Sequence, residues 1–129
     1  MTAMARPQNV TLAGANAEML ALCKRCDISI SRVVDPAIDA ETWHGIPCLK
    51  EESEDISLHR PDGVIIGIDI PKTRRRVDEL YQAAGVPAIS LIGGEIEEGS
   101  CYQDGLTLQK RAYVSCDCVL GRGVRINVG

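Results

Sequence analysis

Phenylalanine is absent from this sequence, tryptophan occurs once, and aromatic residues make up only 3% of 129 positions. A core without large rings must be closed by Val, Ile, Leu and Ala, the side chains that fill parallel sheets and the interiors of stacked coils. A long apolar run is missing too, since none approaches the ~20 residues that cross a bilayer. Residues 1–8 lack the apolar core of a signal peptide, so a cytoplasmic protein without a membrane partner is expected. Positive charge is not in excess. With 14 Lys and Arg against 18 Asp and Glu, the net charge of −4 argues against a nucleic-acid backbone as partner. Histidine is scarce: His44 and His59 stand at no telling spacing from a carboxylate or nucleophile. No Ser-His-Asp or Cys-His arrangement and no P-loop is legible, so no catalytic residue is assigned.

The C-terminal third carries a rhythm. Ile96, Tyr102, Leu108, Val114, Leu120 and Ile126 are apolar and spaced six apart, and Ser100, Leu106, Ala112, Cys118 and Val124 repeat four residues after each. A strand alternates by two and a helix repeats near 3.6, so a period of six fits neither and points to short strands joined by corners and stacked into a coil. Three hexads close one triangular turn, and residues 96–129 supply just under two. Stacked repeats usually need three or more units and a cap to bury their interior. The row Val114, Leu120 and Ile126 is therefore expected to drive association with another chain.

Upstream, strand-like and helix-like segments alternate. Residues 9–14 read as a short buried strand, and 16–25 as a helix ending in the basic pair Lys24 and Arg25. Residues 28–34 are β-branched and stop at Asp35-Pro36; 44–49 form an edge strand containing Pro47, and 51–55 open an acidic helix. Residues 62–68 read as a strand, apolar and β-branched after Asp62, as when both faces are covered. Pro71 starts a helix that Gly85 stops, and 86–92 supply one more strand. This order predicts an α/β protein with a Rossmann-like parallel sheet over 1–92 and a short parallel β-helix over 93–129.

Candidate binding residues cluster where strands end. Gly14, Ala15 and Asn16 occupy the first strand-to-helix turn, where backbone amides can meet a phosphate; a tight turn capped by Asn16 is the alternative. Asp35 lies 21 residues beyond Gly14, at the end of the second strand, where an acid can bind a ribose or base edge; a plain Asp-Pro turn is the alternative. Gly67, Ile68 and Asp69 close the third core strand on the same edge, followed by Arg74 on the next helix. Arg74, Arg75 and Arg76 can also form a solvated helix face, which must hold for at least one of them. Of the six cysteines, Cys23-Lys24-Arg25-Cys26 and Cys116-Asp117-Cys118 could make two halves of a zinc site, but one C-x-x-C lacks a matching second pair. Core packing is the favoured reading of Cys23 and Cys26, and no metal is expected.

Taken together, the small Rossmann-like unit, Gly85-Val86-Pro87-Ala88-Ile89-Ser90-Leu91-Ile92, and hexads ending in Ile126-Asn127-Val128-Gly129 resemble a family of bacterial sugar acyltransferases. This is the sialic-acid O-acetyltransferase and nucleotide-linked amino-sugar N-acetyltransferase type. Gly45-Ile46-Pro47-Cys48-Leu49 is similar to its Gly-Ile-Pro-Val-Leu element, and Ile66-Gly67-Ile68-Asp69 with the Arg-rich stretch from Arg74 to its Ile-Gly-Asp segment and helix start. The resemblance implies a left-handed coil, a trimer, acetyl-CoA as acyl donor and a nucleotide-sugar, usually linked to uridine diphosphate. It places Gly14, Ala15 and Asn16 at the phosphate, Asp35 at the uridine, and Gly67, Ile68, Asp69 and Arg74 around the pocket. The product would serve bacterial surface glycans. Two departures stand out: Ala13-Gly14-Ala15-Asn16-Ala17 replaces the usual Gly-Ala-Gly-Gly-His, and the family's catalytic histidine follows the Ile-Asn-x-Gly element, where this sequence stops. A short natural relative, working as a non-catalytic binding or assembly subunit, and a piece of a longer enzyme are both open readings.

Overall fold

The computed structural model describes residues 9–127. The expectations about residues 1–8, and about Val128 and Gly129 of the final repeat, lie outside the described residues. Strand β1 (Val10–Ala13) leads into helix α1 (Ala17–Arg25), followed by β2 (Arg32–Val34), β3 (Thr42–Trp43), β4 (Ile46–Leu49), α2 (Glu52–Leu58), β5 (Gly63–Ile66) and α3 (Pro71–Ala83). The strands form one sheet in the order β3-β4-β2-β1-β5, parallel except for β3.

Both faces of this sheet are covered, which explains why its strands read as unbroken apolar runs. Val10, Leu12, Val33 and Ile65 pack on one side against Met19, Leu22 and Cys23 of α1. Ala13, Val64 and Ile66 pack on the other against Val77 and Tyr81 of α3, with Ile56 of α2 beside them. Asn16 starts α1, its side-chain oxygen accepting from the amides of Glu18 at 3.1 Å and Met19 at 3.2 Å. Gly85, at φ 76°, ends α3 in a left-handed turn: its amide bonds the Gln82 carbonyl and that of Val86 bonds Tyr81. Beneath the sheet the fully buried Asp55 accepts from the Thr11 hydroxyl at 2.8 Å and pairs with Arg32 Nε at 3.1 Å.

Three expected elements differ. The second strand shortens to Arg32–Val34. The edge is β3, not β4, because His44 and Gly45, at φ 50° and 77°, make a two-residue hairpin that folds Thr42–Trp43 back on Ile46–Leu49. Residues 86–92 are not one strand: Ala88 bridges β5 through Val64, and then the chain leaves the sheet.

Leu91–Ile92 (β6) already belongs to the coil. It pairs with β9 (Thr107–Leu108), which pairs with β12 (Arg125–Ile126). A second face joins β7 (Glu95–Ile96) to β10 (Tyr113–Val114), and a third joins β8 (Cys101–Tyr102) to β11 (Val119–Leu120). All these pairs are parallel, and Ile96 meets Val114, Tyr102 meets Leu120 and Leu108 meets Ile126, each one triangular turn later. Residues 99, 105, 111, 117 and 123 all have positive φ, so the five corners after β7 turn through the left-handed region. Leu106, Leu108, Ala112 and Val114 are buried inside, and Ile96, Cys118, Leu120 and Ile126 pack against them. Tyr102, also in the apolar row, is 45% exposed instead.

Candidate functional site

The carboxyl ends of β1, β2 and β5 lie side by side, and there two backbone loops come close together. A Cβ on Gly14, whose φ is 103°, would sit 2.9 Å from Ile68 Cγ1, and one on Gly67 would sit 2.8 Å from the Gly14 carbonyl oxygen. These glycines bring the two loops into contact, and the Gly67 amide donates to the Ala13 carbonyl at 2.8 Å. Asn16, besides capping α1, donates from Nδ2 to the Gly67 carbonyl at 3.1 Å.

Asp35 completes the lattice of bonds. One carboxylate oxygen accepts from the Ala15 amide and the other from the Ala37 amide, each at 2.8 Å. The Gly14 amide donates to the Val34 carbonyl at 2.8 Å. Both alternatives weighed from sequence, the Asn16 cap and the Asp35 turn, are therefore present. The Gly14 and Ala15 amides serve the protein's own acceptors.

Open space begins one layer further out. A cleft of about 830 Å³ lies between the sheet edge, α1 and the coil, lined among others by Ile68, Asp69, Arg74, Lys110, Arg125 and Asn127. Gly14, Ala15, Asn16, Asp35 and Gly67 do not line it; of these Gly14 packs against Ile68, which does.

Arg74 joins the two halves of the cleft. Its Nη1 donates to the Ile66 carbonyl at 2.6 Å and to that of Ile68 at 3.3 Å, while Nε reaches the Gly123 carbonyl of the coil at 3.1 Å. Burial pulls this guanidinium below its ordinary range and Asp78 partly restores it; an arginine stays charged through such a shift. Arg75 and Arg76 are exposed, so the solvated helix face is real and Arg74 is the member that turns inward.

Two participants have no counterpart among the sequence candidates. Arg125, in β12, has a side chain only 12% exposed and pairs with Asp69, with Glu18 at 3.8 Å, and through Nε with Asn127 Oδ1 at 3.1 Å. Arg122, at the preceding corner, grips Asp78 of α3 through two nitrogens. Their one sequence signal is that Leu120-Gly121-Arg122-Gly123-Val124-Arg125 alone among the hexads carries two arginines. A groove of about 460 Å³ between α3 and the coil also contains Arg74 and Arg122.

Neither histidine lines the cleft. His44 borders a separate hollow of about 340 Å³ with Leu20 and Lys24, and His59 is exposed at the end of α2. Cys23 is buried in the α1 face of the core, whereas Cys118 packs on the coil interior, so the two cysteine pairs belong to different clusters. Among the described residues no group of three or more His, Cys, Asp and Glu could hold a metal ion. No helix there is long and apolar enough to cross a membrane.

The fold recurs in solved proteins. A variant of perosamine N-acetyltransferase from Caulobacter crescentus, in complex with CoA and GDP-perosamine, matches with a TM-score of 0.81 over 92% of this chain and 60% of its own, at 13% identity. The acetyltransferase domain of PglB from Neisseria gonorrhoeae, in complex with acetyl coenzyme A, matches with a TM-score of 0.79 over 95% of this chain and 62% of its own, at 18% identity. The fold is that of sugar acetyltransferase structures. The chain spans about 60% of the length of these proteins. No protein-family model and no curated protein matches the sequence.

Proposed function

We propose that this chain forms the nucleotide-sugar-holding part of a sugar acetyltransferase. The observation that carries this reading is the cleft in which the sheet's carboxyl edge, the usual ligand edge of open α/β sheets, faces a parallel β-coil across Arg74. The fold similarity to structures described as containing CoA, GDP-perosamine or acetyl coenzyme A supports it. In this reading Ile68, Asp69 and Arg74 line the ligand's pocket. Gly14, Ala15, Asn16 and Gly67 hold the wall behind it, and Asp35 secures that wall on the base side. The coil is left-handed and three copies associate through its sides, where Tyr113 and Val119 are 56% and 79% exposed. The setting is the cytoplasm.

Acetyl-CoA would supply an activated acyl group for transfer to a sugar amine or hydroxyl. The residues in hand bind and orient the acceptor: Arg74 fixes positive charge at the cleft, and Ile68 with Leu22 gives it an apolar wall. A second reading is a non-catalytic binding or assembly subunit. In that reading the cleft binds its ligand without chemistry from His44 or His59, neither of which lines it.

Isothermal titration with uridine- and guanosine-diphosphate sugars tests the site. Absence of binding to folded protein at millimolar ligand would overturn both readings. Release of free CoA thiol from acetyl-CoA in the presence of a bound amino-sugar nucleotide would decide for the enzyme.

A further inference from the structure

We infer that Arg125 is a diphosphate anchor supplied by the coil, and that Asp69 is the stand-in which leaves when the ligand's diphosphate arrives. The inference rests on the reading of the cleft as a nucleotide-sugar site and adds to it the group that recognises the diphosphate.

The charge around the cleft is unbalanced. Arg25, Arg74, Lys110 and Arg125 line it against the carboxylates of Glu18 and Asp69. Arg74 is held through Nη1 and Nε by three backbone carbonyls, which position its guanidinium but carry no charge of their own. Arg125 stands two residues beyond Gly123, the residue whose carbonyl Arg74 holds, so the two guanidiniums flank one short stretch of coil.

The partners of Arg125 differ in mobility. Its own side chain is 12% exposed, while those of Asp69 and Glu18 are 69% and 81% exposed. Its Nε is tied to Asn127, which leaves the two terminal nitrogens to the carboxylates. The Asp69 carboxylate already stands mostly in water, so it loses little of its own environment on withdrawing. The guanidinium cannot follow it into solvent without giving up its packing and its Asn127 bond. A mostly buried cation left alone is costly, and what replaces the carboxylate must therefore be another anion. The guanidinium fork fits phosphate oxygens two at a time. With Arg74 beside it, the pair suits two linked phosphates better than one.

The test uses inorganic pyrophosphate, inorganic phosphate, uridine diphosphate and sugar nucleotides on the wild type, Arg125→Gln, Arg125→Lys and Asp69→Asn, by titration calorimetry at low salt. Pyrophosphate is expected to bind the wild type more tightly than phosphate does. Arg125→Gln should weaken it at least tenfold, Arg125→Lys by less, and Asp69→Asn should tighten it two- to fivefold, a gain that added salt reduces. The inference is overturned if folded wild type ignores pyrophosphate, if Arg125→Gln and Arg125→Lys both bind it like wild type, or if Asp69→Asn binds it more weakly. Because Asp69 is exposed, that last variant keeps the test decisive even if both Arg125 variants fail to fold. Arg125-dependent pyrophosphate binding without any affinity for sugar nucleotides would uphold the anchor and sink the proposed function.

Discussion

Arg122 and Asp78 meet in a fork, Nε on one carboxylate oxygen at 2.8 Å and Nη2 on the other at 2.9 Å, and so fasten α3 to a corner of the coil. Both side chains are mostly shielded, at 27% and 16% exposure, and the carboxylate raises the guanidinium's pKa above its ordinary value. A charge-assisted pair in this geometry contributes more than a surface ion pair. Asp78→Asn and Arg122→Ala should each lower unfolding free energy by about 1–3 kcal/mol. In a double-mutant cycle followed by urea unfolding, the double variant should lose less than the sum of the two. Strict additivity would mean that the fork does not couple α3 to the coil.

The coil corners give a prediction of opposite sign. Arg111 and Asp117 turn at φ 68° and 56°, where Gly99, Gly105 and Gly123 occupy the equivalent corners. A side chain in the left-handed region costs ~1–2 kcal/mol, of which glycine's greater freedom in the unfolded chain takes back roughly half. Arg111→Gly and Asp117→Gly should therefore each stabilise the protein by about 0.5–1 kcal/mol. Gly99→Ala should destabilise it, since its new methyl would press on the Asp117 carboxylate. Thermal unfolding of the three variants checks this ranking, and a destabilised Arg111→Gly would contradict it.

Asp55 makes stability depend on pH. Burial raises its carboxyl above the ordinary 3.8, an effect that the Thr11 hydroxyl and Arg32 only partly oppose. With a folded value above the unfolded one, the folded state holds the proton more tightly. The carboxyl's contribution is therefore complete below the unfolded value and declines as pH rises through the folded one. Urea unfolding of wild type and Asp55→Asn from pH 3 to pH 7 should show the wild type losing ground to the variant as pH rises. A difference that moves the other way would mean that Arg32 outweighs desolvation.

Thiol reactivity should separate the cysteines by environment. Cys23 is fully buried and its thiol is pushed up to about 12, chiefly by burial, so its thiolate fraction at pH 8 is on the order of 10⁻⁴. Cys101 and Cys116 are exposed. Iodoacetamide followed by peptide mass analysis should label Cys101 and Cys116 in the native protein and Cys23 only in urea. Early labelling of Cys23 would show that the α1 face of the core opens readily.

Much of the architecture was legible because its periods are distinct. The hexads announced the coil, and Pro71 and Gly85 bracketed α3. The edge hairpin was not, since two residues, Thr42 and Trp43, are too few to show alternation. Residues 86–92 were misread for a different reason. Leu91 is buried in the sheet's core while its strand pairs with the coil, and an apolar run looks the same whichever partner it has. At the site, Gly14 and Gly67 announced that something passes close to the backbone. A glycine cannot tell a ligand from the neighbouring loop, and here the loop is what fills the space. Arg125 escaped notice because its role arises from Asp69 and Glu18, which are distant in sequence.

The five evenly spaced left-handed corners also make the coil a kind of clock. Each strand finds its neighbour by counting residues from the corner before it, so one inserted residue between Gly105 and Arg111 would put every later side chain out of phase. Leu108, Val114, Leu120 and Ile126 would lose their common interior, and Arg122 and Arg125 would swing away from Asp78 and Asp69. The sheet tolerates length changes in its loops because each strand is anchored by its own neighbours. The coil has no such slack, and its grip on α3 and on the cleft is only as good as its timing.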